Sequence, residues 1–280
     1  MTFSIVARSE DGTHLGVAVA SKFVAVGAVV PAADPALGAI ATQAWANLSY
    51  RPDGLGLLRE GRTAQQALDQ LVAADDGRAQ RQAGIVDAQG RAASYTGTDC
   101  MTWAGGRTGP GYAVQGNILT GPEVVEAVES AWLATDPAAP FAERLLHALA
   151  AGDAAGGDSR GRQSAAVLVV TPGGGYGGGS DVLVDLRVDD HPEPIPELAR
   201  ILAVHTMLFG KADPGDCLPL EGPLAEEVRL RLAAAGHDKG ELDASIASWA
   251  GVENLEERLH PGLLDPLVLE HLRRTTPETA

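Results

Sequence analysis

The residues best suited to chemistry stand at the start of the chain, where Met1-Thr2 precedes an apolar strand pattern. A small second residue such as Thr2 permits removal of the initiator methionine. The mature chain would then begin with Thr2, whose hydroxyl can act as a nucleophile while its own α-amine serves as general base. Most chains with threonine at position 2 lose the methionine and gain no activity. Thr2 is therefore a candidate nucleophile that needs support from the rest of the sequence.

Lys22 is the first candidate for a group that keeps the Thr2 amine unprotonated. Residues 3–8 and 15–21 read as two strands of a hairpin around an Asp-Gly turn. If the strands pair antiparallel, Lys22 lies beside Thr2, and its positive charge disfavours protonation of the amine. A solvated lysine at a strand end is the alternative interpretation, although the chain has only three lysines.

Side-chain amides stand at the ends of two further strand patterns. Gln43 and Asn47 lie where the strand 38–43 passes into a loop, a place where ligand contacts are common, and we expect both to bind substrate. Asn117 follows the strand 112–116, and its amide can donate to the oxyanion that forms when a carbonyl is attacked. Loop amides that satisfy their own backbone would produce the same pattern.

The segment 156–165 is the densest polar cluster that leads directly into a buried strand. Arg160 can hold a carboxylate through two parallel hydrogen bonds, and Asp158 can orient that arginine or polarise the nucleophile. Gln163 and Ser164 complete the predicted substrate-binding residues. An ordinary charged loop is the alternative interpretation.

The order of the patterns predicts the architecture that must position these residues. Strand hairpins with helices inserted as pairs favour stacked antiparallel sheets with helices outside, an α+β fold with a four-layer αββα sandwich. The predicted strands are 3–8, 15–21, 38–43, 83–87, 91–96, 112–116, 165–170 and 181–188, and the predicted helices are 63–74, one that starts at 122, and 141–150.

Composition changes near residue 189. Residues 1–189 hold 27 of the 34 glycines, whereas residues 190–280 hold 17 acidic and 8 basic residues in helix-period patterns. Closely spaced prolines support neither a helix nor a central strand. We therefore expect a sandwich domain at 1–189, a Pro-rich linker at 190–196 and a small all-α domain at 197–280.

Charge and composition exclude several classes of partner. A net charge of −16 disfavours nucleic acid or an anionic membrane surface. No apolar run approaches the ~20 residues of a membrane span, and no basic segment leads into an apolar stretch at the N-terminus. Two cysteines and scattered histidines form no metal motif, and Cys100 reads as a small buried residue. We expect a cytoplasmic protein with a small-molecule substrate and no metal or cofactor.

Four segments together resemble the DUF1028 family, which has no established function and an Ntn-hydrolase-like fold. They are TFSIVAR at 2–8, GVAVASK at 16–22, ATQA at 41–44 and GDSRG at 157–161. The resemblance covers roughly residues 1–190. It implies an αββα sandwich and, by superfamily analogy, a Thr2 nucleophile that cleaves an amide, without naming a substrate.

Residues 195–275 resemble the small helical domain often appended to this family and labelled peptidoglycan-binding, most clearly at 249–257. An acidic segment without a secretion signal is an unexpected binder of a periplasmic polymer. An apolar stripe favours docking on the sandwich or on a second subunit, and we expect a homodimer; its residues are Leu198, Ile201, Leu202, Met207, Leu208 and Phe209.

The leading hypothesis is an N-terminal-nucleophile amidohydrolase that acts on a small amide or ureido-type substrate. Thr2, Lys22 and Asn117 are its predicted catalytic residues. The alternative is a non-catalytic protein that binds a small molecule or glycan on an Ntn-like scaffold. A third hypothesis, Cys100 as the nucleophile, finds no committed base in the sequence.

Overall fold

The computed structural model describes residues 2–276, which divide into two compact units, one ending at Ile201 and one beginning at Leu202. The described strands of the first unit are β1 (Thr2–Arg8), β2 (Leu15–Ser21), β3 (Pro31–Asp34), β4 (Gly38–Ala44), β5 (Arg81–Asp87), β6 (Ala92–Thr96), β7 (Gly105–Gly109), β8 (Tyr112–Asn117), β9 (Ser164–Val170) and β10 (Val182–Val188). Its helices are α1 (Val26–Val29), α2 (Tyr50–Arg59), α3 (Ala64–Ala73), α4 (Glu123–Ala134) and α5 (Phe141–Ala154).

Strand β1 lies inside a six-stranded antiparallel sheet with the order β10-β9-β2-β1-β8-β7. Phe3 pairs with Ala20 of β2, and Thr2 pairs with Asn117 of β8. Because both neighbours run antiparallel to β1, the start of β1 meets the ends of β2 and β8. The sheet thus places the first described residue of the chain among three converging strand termini.

A second antiparallel sheet has the order β3-β4-β5-β6 and faces the first. Apolar side chains from both sheets fill the space between them, including Val6, Val17, Ala41 and Val86. Helices α2 and α3 cover the outer face of the smaller sheet, and α4 and α5 cover the outer face of the larger one. The first unit is therefore built of four layers, helix, sheet, sheet and helix, and the predicted α+β fold is confirmed.

Helix α3 shows how the sequence specifies the outer layers. Thr63 accepts a hydrogen bond from the Gln66 backbone N–H at 3.2 Å, and the Gln66 side chain accepts one from the Thr63 N–H at 3.0 Å. This reciprocal arrangement satisfies two N–H groups that the first helical turn leaves without partners. Leu68 and Leu71 then lie on the buried face against the smaller sheet.

Helix α6 (Pro194–Phe209) corrects the predicted linker at its C-terminal end. The helix begins within 190–196 and holds Pro194 and Pro196 in its first turn. Proline is tolerated there because the first N–H groups of a helix have no intrahelical acceptor. The division between the two compact units lies at Ile201 and Leu202, inside this helix, whereas the prediction set the domain boundary at 189.

The second unit continues with α7 (Gly222–Ala234), α8 (Leu242–Glu253) and α9 (Pro266–Thr275) around a core of its own, which includes Leu232, Trp249 and Leu269. It also contains a two-stranded ladder of β11 (Leu218–Pro219) and β12 (Leu263–Leu264), which the all-α prediction did not include.

A buried ion pair organises one side of the second unit. Arg258 donates to Asp265 with 2.5 Å between Nη1 and Oδ2, and both side chains are almost fully buried. The same guanidinium donates to the carbonyls of Thr206 and Met207 near the end of α6, while Asp265 accepts the Leu267 N–H at the start of α9. Arg258 and Asp265 therefore join one helix end to another.

None of the helices within residues 2–276 combines the length and apolar character that a membrane span requires.

Candidate functional site

Thr2 is the first residue of β1 and is only 6% exposed. Its Oγ1 lies 3.1 Å from the Oγ of Ser21, the last residue of β2. The register of β1 against β2 explains this contact, since Phe3 pairs with Ala20 and the next residues along are Thr2 and Ser21. Two hydroxyl groups therefore meet at one end of the sandwich.

Two buried amides hold the backbone carbonyl of Thr2. Gln43 of β4 donates through Nε2 at 3.3 Å, and Asn117 of β8 donates through Nδ2 at 3.4 Å. Gln43 comes from the facing sheet, whereas Asn117 comes from the neighbouring strand of the same sheet. The position of Thr2 is thus fixed from both sheets.

These amides belong to a larger cluster between the sheets, here called the amide network, which comprises Ser4, Gln43, Gln82, Gln115 and Asn117. Each of the five side chains is at most 1% exposed. The Ser4 hydroxyl donates to Gln43 at 2.7 Å and accepts from Gln115 at 2.6 Å. Gln43 and Asn117 both donate to the Gln82 Oε1 at 2.8 Å. A buried polar group without a hydrogen bond costs free energy, so the loss of one side chain of the amide network would also destabilise its partners.

Gln82 sets the orientation of the amide network. Its Nε2 faces the carbonyl oxygens of Gly116 at 2.7 Å and Gly105 at 3.2 Å, which can only accept. Its Oε1 must therefore point the other way and accept from Gln43 and Asn117. The orientations of those two amides follow from hydrogen-bond chemistry.

Two oxygens of the amide network have no hydrogen-bond partner within the described residues. They are Oε1 of Gln115 and Oδ1 of Asn117. The Gln115 amide packs directly on Gly84 of β5, where an added Cβ would lie 2.0 Å from Oε1. Both hydrogens of the Asn117 amide are engaged, by Thr2 and Gln82, so its donation to an oxyanion would require one of these bonds to open.

Lys22 is exposed at the end of β2. Its Nζ donates to the backbone carbonyl of Arg162 at 3.2 Å, and its backbone N–H donates to the Asp158 carboxylate at 2.7 Å. The residue that the β1–β2 register places beside Thr2 is Ser21. Met1 lies outside the described residues, so its removal, and the action of Lys22 on the Thr2 amine, stay predictions.

Asp158 is the buried anchor of the polar loop. Its carboxylate accepts the Lys22 N–H, the Arg160 N–H at 2.9 Å and the Arg160 guanidinium at 3.4 Å. An isolated bridge pairs Asp158 with Leu119, two residues beyond Asn117. The loop is therefore fastened at the Thr2 end of the sandwich, with the Arg160 side chain 45% exposed.

Gln163 and Ser164 fasten backbone segments. Gln163 donates to Asp190 at 3.1 Å on the surface. Ser164 is fully buried, donates to the Phe23 carbonyl at 2.5 Å and accepts the Val26 N–H at 3.1 Å. The Ser164 hydroxyl thus holds the segment after β2 in place. Both of its hydrogen bonds are made to the backbone of that segment.

Asn47 lies apart from the amide network. It donates to Asp75 at 3.0 Å, and Asp75 pairs with Arg81 at 2.8 Å. The Arg81 guanidinium holds the pKa of Asp75 well below its usual range. Asn47 also lines an open groove of about 500 Å³ between α2 and α3, together with Tyr50 and Asp75. Of the two predicted amides near the end of β4, only Gln43 reaches Thr2.

Cys100 donates to the carbonyl of Arg81 at 3.3 Å, and burial raises the pKa of its thiol. A raised pKa lowers the thiolate fraction that nucleophilic attack requires. No group of three or more His, Cys, Asp or Glu side chains within residues 2–276 is arranged to hold a metal ion.

The sequence analysis missed Ser4, Ser21, Gln82 and Gln115, although a signal was present. Side chains on one face of a strand recur every second residue. On the inward face of the described strands, apolar residues give way to polar ones toward the Thr2 end. The series are Val6-Ser4-Thr2, Val17-Val19-Ser21, Ala39-Ala41-Gln43, Val86-Gly84-Gln82 and Ala113-Gln115-Asn117.

The fold and site define an α+β protein whose two sheets enclose a polar cluster at the start of the chain. The model of DUF1028, a family of unknown function, matches residues 2–198, and the chain belongs to this family. The predicted resemblance to DUF1028 is confirmed, whereas the Ntn-hydrolase-like fold and the peptidoglycan-binding role of the C-terminal part stay predictions.

Two solved structures show the extent of the similarity. A DUF1028 protein from Silicibacter pomeroyi is 31% identical, with a TM-score of 0.66, over 80% of this chain and 92% of that chain. Anbu (ancestral beta-subunit) from Yersinia bercovieri is 11% identical, with a TM-score of 0.34, over 72% of this chain and 93% of that chain. None of the curated proteins matches the chain.

Proposed function

We propose that the protein is an N-terminal-nucleophile amidohydrolase that acts on a small amide or ureido-type substrate. Thr2 is the nucleophile once Met1 has been removed. One observation carries the proposal: Thr2 begins a central strand, its hydroxyl meets that of Ser21, and buried amides from both sheets hold its carbonyl. Such fixed positioning of a reactive residue is what efficient catalysis requires.

The chemistry follows from the groups on Thr2 itself. The hydroxyl oxygen attacks the substrate carbonyl, and its proton passes to the α-amine. The C–N bond then breaks, the leaving amine takes that proton, and an ester on Thr2 remains. Water attacks the ester with the α-amine as base, which releases the acid and restores the hydroxyl. Ser21, 3.1 Å from the nucleophilic oxygen, can donate a hydrogen bond that orients that oxygen.

We assign Asn117 to positioning, because its two amide hydrogens bond to Thr2 and Gln82. Arg160 is the group that can bind a substrate carboxylate, since its guanidinium is partly exposed and its loop is anchored at the Thr2 end by Asp158. A substrate with both an amide and a carboxylate fits this pair of groups.

The experiment measures the intact mass of the purified protein and its hydrolysis of a panel of small amides. We expect a mass without Met1 and a loss of at least a thousandfold in kcat for Thr2→Ala, with partial activity for Thr2→Ser. Thr98→Ala, at an exposed threonine, is the matched control and should change nothing. Retention of Met1, or full activity of Thr2→Ala, would contradict the proposal.

One observation favours the second candidate, a protein that binds its ligand without turnover. The engaged amide of Asn117 leaves no hydrogen ready for an oxyanion. This candidate predicts equal ligand affinity in the wild type and Thr2→Ala, with no product formed by either. A pull-down with peptidoglycan, repeated without residues 202–280, tests a glycan as the ligand.

A further inference from the structure

Exposed apolar side chains stand close in sequence, or by a backbone hydrogen bond, to the residues that contact Thr2 or to their immediate neighbours. Four of them form the apolar rim, defined as Phe23, Val24, Trp45 and Met101. They are 49%, 53%, 73% and 66% exposed, respectively. Large apolar side chains scattered singly on a surface need no explanation, but a set gathered at one site does.

Each rim residue lies close, in sequence or through a backbone hydrogen bond, to a residue that contacts Thr2 or to its immediate neighbour. Phe23 and Val24 come directly after Lys22 at the end of β2, which supplies Ser21. Trp45 stands two residues beyond Gln43. The carbonyl of Met101 accepts the N–H of Ile118, the residue after Asn117. The antiparallel pairing of β1 with β2 and β8, and the bond from Gln43 to Thr2, place all three segments at the same end of the sandwich.

Trp45 is held by its backbone while its indole faces solvent. Its N–H donates to the Gln80 carbonyl at 3.2 Å, and its carbonyl accepts from the Arg81 guanidinium at 2.6 Å. Arg81 is itself fixed by Asp75. Ala44, the preceding residue, has a φ of 65°, a left-handed conformation that costs energy for any residue with a Cβ. The backbone that leads to the exposed Trp45 ring, two residues from Gln43, therefore includes an energetically unfavourable conformation at Ala44.

We infer that the substrate carries an apolar acyl group that packs on Trp45 and the rest of the rim when its carbonyl lies at Thr2. This inference rests on the proposed function and names the substrate class, N-acyl amides with an aliphatic or aromatic acyl chain. An indole offers a large rigid face at a low cost in conformational entropy.

The experiment titrates the full-length Thr2→Ala protein with N-acetyl-, N-butanoyl-, N-hexanoyl- and N-octanoylglycine by calorimetry. The affinity should rise about threefold to fourfold for each added methylene group until the rim is covered. Trp45→Ala should flatten this dependence and weaken octanoyl binding at least tenfold, whereas Trp45→Phe should keep most of it. Leu133→Ala, at a 63% exposed leucine of α4, is the matched control and should leave the series unchanged.

Tryptophan fluorescence gives a second readout: Trp132 and Trp249 are only 5% and 3% exposed, and a change that is lost in Trp45→Phe belongs to Trp45 rather than to the partly exposed Trp103. Octanoylglycine should change the emission of Trp45 in the Thr2→Ala protein. An affinity independent of chain length, or a chain-length dependence that survives Trp45→Ala, overturns the inference. Binding is measured in the Thr2→Ala protein and hydrolysis in the wild type. Chain-length-dependent binding to Thr2→Ala, together with a wild type that hydrolyses none of these amides, would overturn the proposed function alone.

Discussion

Gln82 shows how much of the site depends on a residue that does not touch Thr2. One amide oxygen accepts from Gln43 and Asn117, and the amide nitrogen faces two backbone carbonyls. Both amides that hold Thr2 are therefore oriented by a single side chain. Its removal would leave several buried donors and acceptors without partners, each of which costs about 1–3 kcal/mol.

We expect Gln82→Leu, which is similar in size, to lower the free energy of unfolding by about 3 kcal/mol or more, measured by urea denaturation. Gln70→Leu is the matched control, since Gln70 is exposed on α3, and its effect should stay within about 0.5 kcal/mol. Equal effects of the two substitutions would show that the amide network does not stabilise the fold.

Sequence reasoning reached Thr2, Gln43 and Asn117 but could not separate them from Asn47. Gln43 and Asn47 stand four residues apart and look alike as loop amides, yet one contacts Thr2 and the other contacts Asp75. The difference arises from the packing of β4 against the facing sheet, a long-range contact that local patterns do not encode. Gln82 escaped notice because its partners come from four other strands.

At the scale of elements, strand periodicity predicted most of the strands. Helix α2 and strand β7 were not predicted, because their sequences contain glycine or proline. Helix α2 contains Pro52, Gly54 and Gly56, which are poor helix formers in isolation. The helix forms because Tyr50, Leu57 and Leu58 pack on the smaller sheet, and tertiary packing overrides intrinsic propensity. The Gly-rich strand β7 escaped prediction for a similar reason, since its pairing with β8 defines it.

Two glycines allow a matched test of this packing. An added Cβ at Gly84 of β5 would lie 2.0 Å from Gln115 Oε1, whereas nothing lies within 4 Å of one at Gly56 of α2. We expect Gly84→Ala to destabilise the protein by about 1–3 kcal/mol and Gly56→Ala to stabilise it by about 0.5–1 kcal/mol. Thermal unfolding of both variants checks the prediction, and a shift of the same sign in both would refute it.

Helices α7 and α9 are linked by a carboxylate whose protonation is measurable. Glu227 accepts from Arg273 at 2.7 Å and from Arg231 at 3.0 Å. These hydrogen bonds, that of Arg273 first, lower the pKa of Glu227 from 4.5 to about 2. Because the folded-state pKa lies below the unfolded one, the stabilisation is complete above pH 4.5 and is lost as the pH falls toward 2.

We therefore expect Glu227→Gln to cost about 1 kcal/mol at neutral pH, a value reduced by solvent screening of the half-exposed Arg273. The cost should shrink as the pH falls below 4.5, as measured by urea unfolding at a series of pH values. Glu226→Gln, at an exposed neighbour, is the control and should show no such trend. A cost that does not change with pH would argue against the ion pairs as its source.

At the scale of the whole molecule, the chain holds two compact units, each with its own apolar core. The DUF1028 match ends at residue 198, close to the point where the units divide. Composition had placed the boundary at 189, because the charge and the glycine content change there. The division by contacts comes later in the chain, between Ile201 and Leu202. The roles of the second unit in docking, dimerisation or glycan binding stay predictions.

Separate cores predict separate unfolding. Leu68 and Leu232 are almost fully buried, one in each unit, and truncation of a buried leucine to alanine costs about 2–5 kcal/mol. We expect calorimetry to resolve two transitions, with Leu68→Ala lowering the Tm of one and Leu232→Ala lowering the Tm of the other. One transition that both substitutions shift equally would mean that the chain unfolds as a single cooperative unit.

The buried ion pair of Arg258 and Asp265 in the second unit has a defined orientation relative to two helix ends. Arg258 meets carbonyls near the C-terminus of α6, where the helix dipole is negative, and Asp265 stands at the N-terminus of α9, where it is positive. Each charge therefore complements a helix end as well as its partner. Exchange of the two residues would keep the pair neutral but set each charge against the wrong dipole. Along this chain the order of the two charges, arginine before aspartate, is itself part of the information that specifies the fold.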